Sequence, residues 1–157
     1  MLGFSLLSFS FAPSTPKPER INWVEFLPVI AQVESWGNGI ATSFWDEEKK
    51  IICARGKYQI TRSCYEDFKI RNPQWEFLKI EMLYNEKINE MISLDTLSNL
   101  ENQMGYDNLW IILSCYHTGP SNYFKYGLNW DYVNKIITNK LCPSNYRVSV
   151  GDDRMAF

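Results

Sequence analysis

The sequence predicts a mainly helical domain with one small β element, an α+β arrangement. Three observations predict it. Apolar residues recur at three- and four-residue spacing in several separate stretches, the mark of amphipathic helices. Proline and glycine fall between those stretches rather than inside them. One short region, Lys50 to Ile60, reads instead as two strand-like runs around a turn.

The elements follow in order. The first twelve residues, Met1 to Ala12, are apolar and uncharged and too short to span a bilayer as a helix. They read as an export signal, a short membrane-associating segment or the product of a mis-set start codon. Pro13 to Pro18 holds three prolines in six residues and reads as an extended linker. Residues 1–20 thus form an N-terminal segment and linker, residues 21–141 the folded domain, and residues 142–157 a tail without periodicity. Asn22 can cap a helix reaching about Trp36, with Trp23, Phe26, Leu27, Ile30 and Val33 on its buried face. Pro28 either kinks its first turns or moves its firm start to about Leu27. Gly37-Asn38-Gly39 ends it.

Ile40 to Cys53 is irregular, with a charged turn at Asp46-Glu47-Glu48-Lys49-Lys50. Ile51-Ile52-Cys53 and Tyr58-Gln59-Ile60 would form a hairpin around Ala54-Arg55-Gly56. Thr61 caps a helix to about Ile70, which Asn72-Pro73 breaks. A long helix is expected from Gln74 to about Ile92, and another from Asp95 to Met104. Asp107 caps the next, whose Leu109-Trp110-Ile111-Ile112-Leu113 run is apolar nearly all round and should be central. That helix ends at Gly119-Pro120, and a last one covers Asn129 to Lys140.

The bulk numbers narrow the function classes. At 157 residues, 45% of them hydrophobic, the chain can bury one real core. A net charge of −2 and the lack of a Lys/Arg cluster exclude nucleic acid as a partner. The four cysteines, at 53, 64, 115 and 142, include no C-x-x-C pair, and His117 is the only histidine. A zinc site is therefore not expected, nor is any other metal or cofactor. Cys115 lies in the apolar helix and reads as a buried free thiol. The aromatic content, 15%, suits either core packing or a carbohydrate cleft, where flat rings stack on sugar faces.

Glu34 is the candidate catalytic acid. It sits near the C-terminal end of the first helix, where the helix dipole opposes a negative charge. Ile30, Val33 and Trp36 around it are apolar. Both effects favour the neutral acid over the carboxylate, and glycosidic cleavage needs a carboxylic acid that donates and then accepts a proton.

Four pieces in order extend this reading. Glu34-Ser35 is followed by Ala54-Arg55-Gly56-Lys57-Tyr58-Gln59-Ile60-Thr61, then Ser114-Cys115-Tyr116-His117-Thr118-Gly119-Pro120, then Trp130-Asp131-Tyr132-Val133-Asn134-Lys135-Ile136. From about Leu27 to Ile137 the series resembles the soluble lytic transglycosylases of the lysozyme-like superfamily. Their pattern is a Glu-Ser at a helix end, a Gly-x-x-Gln turn, an Ala-Tyr-Asn-Ala-Gly segment and a Tyr-Val motif. The resemblance implies a lysozyme-like fold with a small β-hairpin lining a substrate cleft.

The resemblance also assigns roles. Glu34 becomes the single catalytic acid/base. Ser35 would help hold an N-acetyl group, Gly56 would let the backbone approach the substrate, and Gln59 would line the cleft. Tyr58 takes a place where variants of the family carry tyrosine. Tyr116 would bind substrate, and the Tyr132 hydroxyl would bond to the acid and orient it. His117 stands where the family usually has asparagine, and Cys115 where it has alanine. The implied reaction is cleavage between N-acetylmuramic acid and N-acetylglucosamine of peptidoglycan glycan strands, with a 1,6-anhydro ring as product and no cofactor. The alternatives are a hydrolytic muramidase with a second carboxylate from Asp46 to Glu48, and a catalytically silent glycan-binding component of a wall-crossing machine. The implied location is the cell envelope or periplasm, or a phage virion, with membrane or envelope-machine contact through the N-terminus.

Overall fold

The computed structural model describes residues 20–141 apart from 47, 49 and 107. The N-terminal segment, most of the linker, the tail, Cys142 and the expected cap Asp107 lie outside the described residues. Asn22 bonds to the Glu25 carboxylate rather than capping a helix, and Trp23–Glu25 forms a single 3-10 turn. The firm helix, α1, is Leu27–Ser35, with Pro28 in its first turn, where a missing N–H costs nothing. It buries Leu27, Ile30 and Ala31.

The β element is larger than the sequence suggests. Strand β1 (Thr42–Asp46) pairs antiparallel with β2 (Ile51–Arg55), which pairs with β3 (Ile60–Thr61). The expected pairing of Ile51–Cys53 with Tyr58–Ile60 is corrected. Ala54 pairs with Thr61 and Arg55 with Ile60, while Tyr58 and Gln59 lie in the turn between strands. Glu48 and Lys50, both turn residues, lie between β1 and β2. Two register irregularities in β1, at Ser43/Phe44 and Phe44/Asp46, scramble the alternation that would have marked it as a strand.

Thr61 caps helix α2 (Arg62–Arg71) by accepting from the Cys64 N–H. The continuous helix expected over 74–92 does not form. Pro73–Trp75 and Ile80–Tyr84 are 3-10 turns, and the Tyr65 hydroxyl takes the Leu78 carbonyl out of any helical ladder. Asn85 then caps α3 (Glu86–Met104) by accepting from the Lys87 and Ile88 N–H groups. Helix α3 runs straight through Asp95, the expected start of a separate helix. Ile92, Leu97 and Leu100 continue one buried face across that point, and the Asp95 side chain turns out to Arg71 and Asn72.

Helix α4 (Leu109–Thr118) is central, with Ile112 to Cys115 buried. It packs on α3 and on α6 (Trp130–Leu141). Gly119-Pro120 ends α4 as expected, but Pro120 also opens a short helix, α5 (Pro120–Tyr126). The result is a mainly helical lysozyme-like fold with a small three-stranded antiparallel sheet. Cys53, Cys64 and Cys115 are free thiols, and Cys115 is buried. No helix among the described residues is long and apolar enough to cross a membrane.

Candidate active site

Three helix ends meet around one carboxylate. Glu34 leaves the last turn of α1, His117 the last turn of α4, and Tyr132 the first turn of α6. The Glu34 side chain is 10% exposed, and its Oε1 lies 3.6 Å from His117 Nδ1. The imidazole is 41% exposed on its other side and stacks on the Tyr132 ring, with centroids 4.2 Å apart and planes 12° from parallel. Glu34 is thus nearly enclosed, with the stacked His117 imidazole beside it.

The Tyr132 hydroxyl is buried and closes no hydrogen bond among the described residues. Burial first, and then the nearby Glu34 carboxylate, push its pKa well above the usual tyrosine value. Glu34 acts on this hydroxyl through its charge and as a side-chain hydrogen-bond partner, in a geometry that stops short of a fully formed bond. Such bonds often tighten only with substrate in place. Tyr116 lies on the same side of Glu34. Its pKa is also pushed well up, by burial and then by Glu34. Its hydroxyl donates to the Tyr58 carbonyl at 3.0 Å, which leaves it to accept from Ser93 Oγ at 2.9 Å.

The other predicted residues form a supporting layer between α1 and the sheet. Ser35 Oγ lies 2.6 Å from the Lys57 carbonyl and 3.2 Å from the Ala31 carbonyl, tying the end of α1 to the turn after β2. Gln59 has a φ of 51°, and both ends of its amide are engaged. Its oxygen accepts from Ser43 Oγ at 2.7 Å, and its nitrogen donates to the Gly56 carbonyl at 2.8 Å and the Ala41 carbonyl at 3.4 Å.

Two residues offered as ligand contacts have structural partners in this geometry. The Tyr58 ring is buried in the core, and its hydroxyl bonds to Glu90 at 3.3 Å, so it presents no face to a ligand. Burial, then the charge of Glu90, push its pKa up to about 12. Gly56 has a φ of 77°, and the space beside its Cα is filled by the Leu83 carbonyl and the Asn89 amide. Its bare Cα serves helix packing there, not the approach of a substrate.

Asn89 and Ser93 are the residues that sequence reasoning missed. Asn89 is fully buried; its oxygen accepts from Tyr58 N–H at 2.7 Å and its nitrogen donates to the Arg55 carbonyl at 3.1 Å. Ser93 supports Tyr116. They lie one turn apart on the buried face of α3, and two small polar residues in register with Ile92, Leu97 and Leu100 were the available signal. Of the carboxylates suggested as a second acid, Glu48 is exposed, while the Asp46 side chain and Glu47 lie outside the described residues. Glu34 is the one carboxylate among the described residues that acts on both Tyr116 and Tyr132. No cluster of three potential metal ligands occurs among the described residues.

Residues 17–135 match the family model described as the transglycosylase SLT domain. No curated protein and no solved structure matches the chain.

Proposed function

The chain belongs to the transglycosylase SLT domain family, a family of lytic transglycosylases whose substrate is peptidoglycan, and on that premise we propose that it cuts glycan strands with Glu34 as its sole acid and base. The observation that carries this reading is the setting of Glu34. It is a nearly enclosed carboxyl at the meeting of three helix ends, with an unpartnered tyrosine hydroxyl beside it and no other described carboxylate acting on the same two tyrosines.

The chemistry follows from one carboxyl group used twice. Neutral Glu34 gives its proton to the glycosidic oxygen between N-acetylmuramic acid and N-acetylglucosamine, and the bond from C1 to that oxygen breaks. The N-acetyl carbonyl of the muramic acid supports the electron-poor C1. Glu34, now a carboxylate, takes the proton from the sugar's own 6-hydroxyl as that oxygen attacks C1. A 1,6-anhydro ring closes, Glu34 is neutral again, and no water is consumed. The Tyr132 hydroxyl can donate to the carboxylate between the two steps, and His117 can hold its other oxygen. Ser35, Gln59 and Tyr116 keep the turn after β2 and the end of α1 at a set distance from the acid. Such a reaction would act where glycan strands are, in the cell envelope or on a phage particle that enters through it.

Digestion of purified peptidoglycan tests the proposal. Mass spectrometry of the products should find 1,6-anhydro ends, and Glu34→Gln should abolish them. Products with reducing ends alone would establish hydrolysis instead, and full activity in Glu34→Gln would remove Glu34 from the chemistry.

A further inference from the structure

Trp36 combines two features that work against a folded protein. Its φ of 56° puts a bulky residue in the left-handed region, where a helix normally ends on glycine or asparagine. Its ring is 76% exposed and stands outside the hydrophobic cluster. Two other non-glycine residues among those described have positive φ, and each has a use for its side chain. Gln59 bonds through both ends of its amide, and Lys50 lies over the Phe44 ring. The Trp36 ring, unlike these two side chains, has no hydrogen bond and no place in the core among the described residues, although backbone bonds hold its left-handed turn, and residues in that conformation gather at ligand sites.

We propose that Trp36 is a substrate-binding residue, whose exposed ring is a stacking face for a sugar of the glycan strand lying across Glu34. The inference rests on the reading of Glu34 given above. Trp36 follows that acid by two residues, so their Cα atoms are roughly 5–6 Å apart, and the left-handed turn at Trp36 takes its side chain off the regular helical path, on which residues two apart face away from each other. The platform is held from below. Trp36 N–H bonds to the Gln32 carbonyl at 3.1 Å, Gly37 N–H to the Ala31 carbonyl at 3.0 Å, and Ser35 is pinned to the turn after β2. Nothing lies within 4 Å of the place a Cβ on Gly37 would take, and the stretch from Ser35 to Ile40 has no charged residue of its own; the Glu86 carboxylate that lies against Gly39 is paired with Lys57. A neutral sugar suits such a surface. Its C–H face covers the ring, and its hydroxyls reach the polar edge. The cation near this segment, Lys57, is already paired with Glu86 at 3.6 Å, which leaves little to attract an anionic lipid surface or an acidic partner.

Calorimetry on the full chain tests the assignment, with Glu34→Gln as the parent to suppress turnover. The probe is soluble peptidoglycan glycan chains stripped of their stem peptides. Adding Trp36→Ala should weaken binding about 3- to 10-fold, and adding Trp36→Phe should restore most of it. Trp36→Gly relieves the left-handed strain, so its melting temperature should stay level or rise by about 2 °C while binding weakens. Equal affinity of the parent and the Trp36→Ala protein would overturn the inference and leave the role of Glu34 untouched. A large fall in melting temperature for Trp36→Gly would make the ring structural and overturn it as well. If the parent itself fails to bind the chains, both the substrate reading and this inference fall.

Discussion

Gly56→Ala should destabilise the protein far more than Gly37→Ala, although both glycines have nearly the same backbone conformation. Their φ values are 77° and 76°. Placing alanine in the left-handed region costs about 1 kcal/mol at either position. The difference lies in what the new methyl group meets. At Gly37 nothing lies within 4 Å. At Gly56 the added Cβ would stand 2.5 Å from Asn89 Nδ2, 2.8 Å from Asn89 Cγ and closer still to the Leu83 carbonyl oxygen. A backbone oxygen cannot swing away as the end of a flexible side chain can. Moving Asn89 breaks its bonds to Tyr58 N–H and the Arg55 carbonyl. Overpacking of this kind adds about 2 kcal/mol, so the total at Gly56 is about 3 kcal/mol. For a domain of this size that lowers the melting temperature by about 6–12 °C, against about 2–4 °C for Gly37→Ala. Differential scanning calorimetry of the two variants measures both. Equal melting temperatures would refute the reasoning, because they would show that Asn89 and Leu83 do not press on Gly56.

Tyr132→Phe separates stability from activity: the lost hydroxyl has no described partner, so the melting temperature should hold or rise slightly, while glycan cleavage falls about tenfold through loss of an orienting group. A large loss of stability would show that the hydroxyl is bonded in the fold. Tyr58, Tyr116 and Tyr132 all have raised pKa values, Tyr58 to about 12. Below pH 10 each is neutral in both folded and unfolded chains and its contribution to stability is complete. As pH rises past 10 the unfolded chain loses these protons first, so stability falls up to pH 12 for Tyr58 and beyond for the other two. Tyrosinate absorbance should therefore lag behind the exposed tyrosines and appear together with unfolding, and its early appearance in the folded protein would contradict the burial of these rings.

Much of the fold was legible because helices report themselves locally. The spacing of Leu27 and Ile30, the Thr61 cap and the apolar run of α4 each lie within a few residues, and the chain needs no distant partner to express them. The failures occur where a distant group decides. The Tyr65 hydroxyl takes the Leu78 carbonyl and prevents a helix that periodicity alone would extend. β1 owes its place to pairing with β2 across bulges that hide its alternation.

The candidate site divides in the same way. By itself the sequence set the one-dimensional order of the candidates, an acid at a helix end followed by the Gly56-to-Gln59 turn, Tyr116 and Tyr132. Only the tertiary structure decided which of them come together. Glu34, His117 and Tyr132 converge because the ends of α1 and α4 meet the start of α6. Gly56, Tyr58 and Gln59 hold the scaffold because Asn89, more than thirty residues away from Tyr58, fills the space beside them. A side chain's facing depends on what packs on it from elsewhere in the chain, and local spacing does not contain that information.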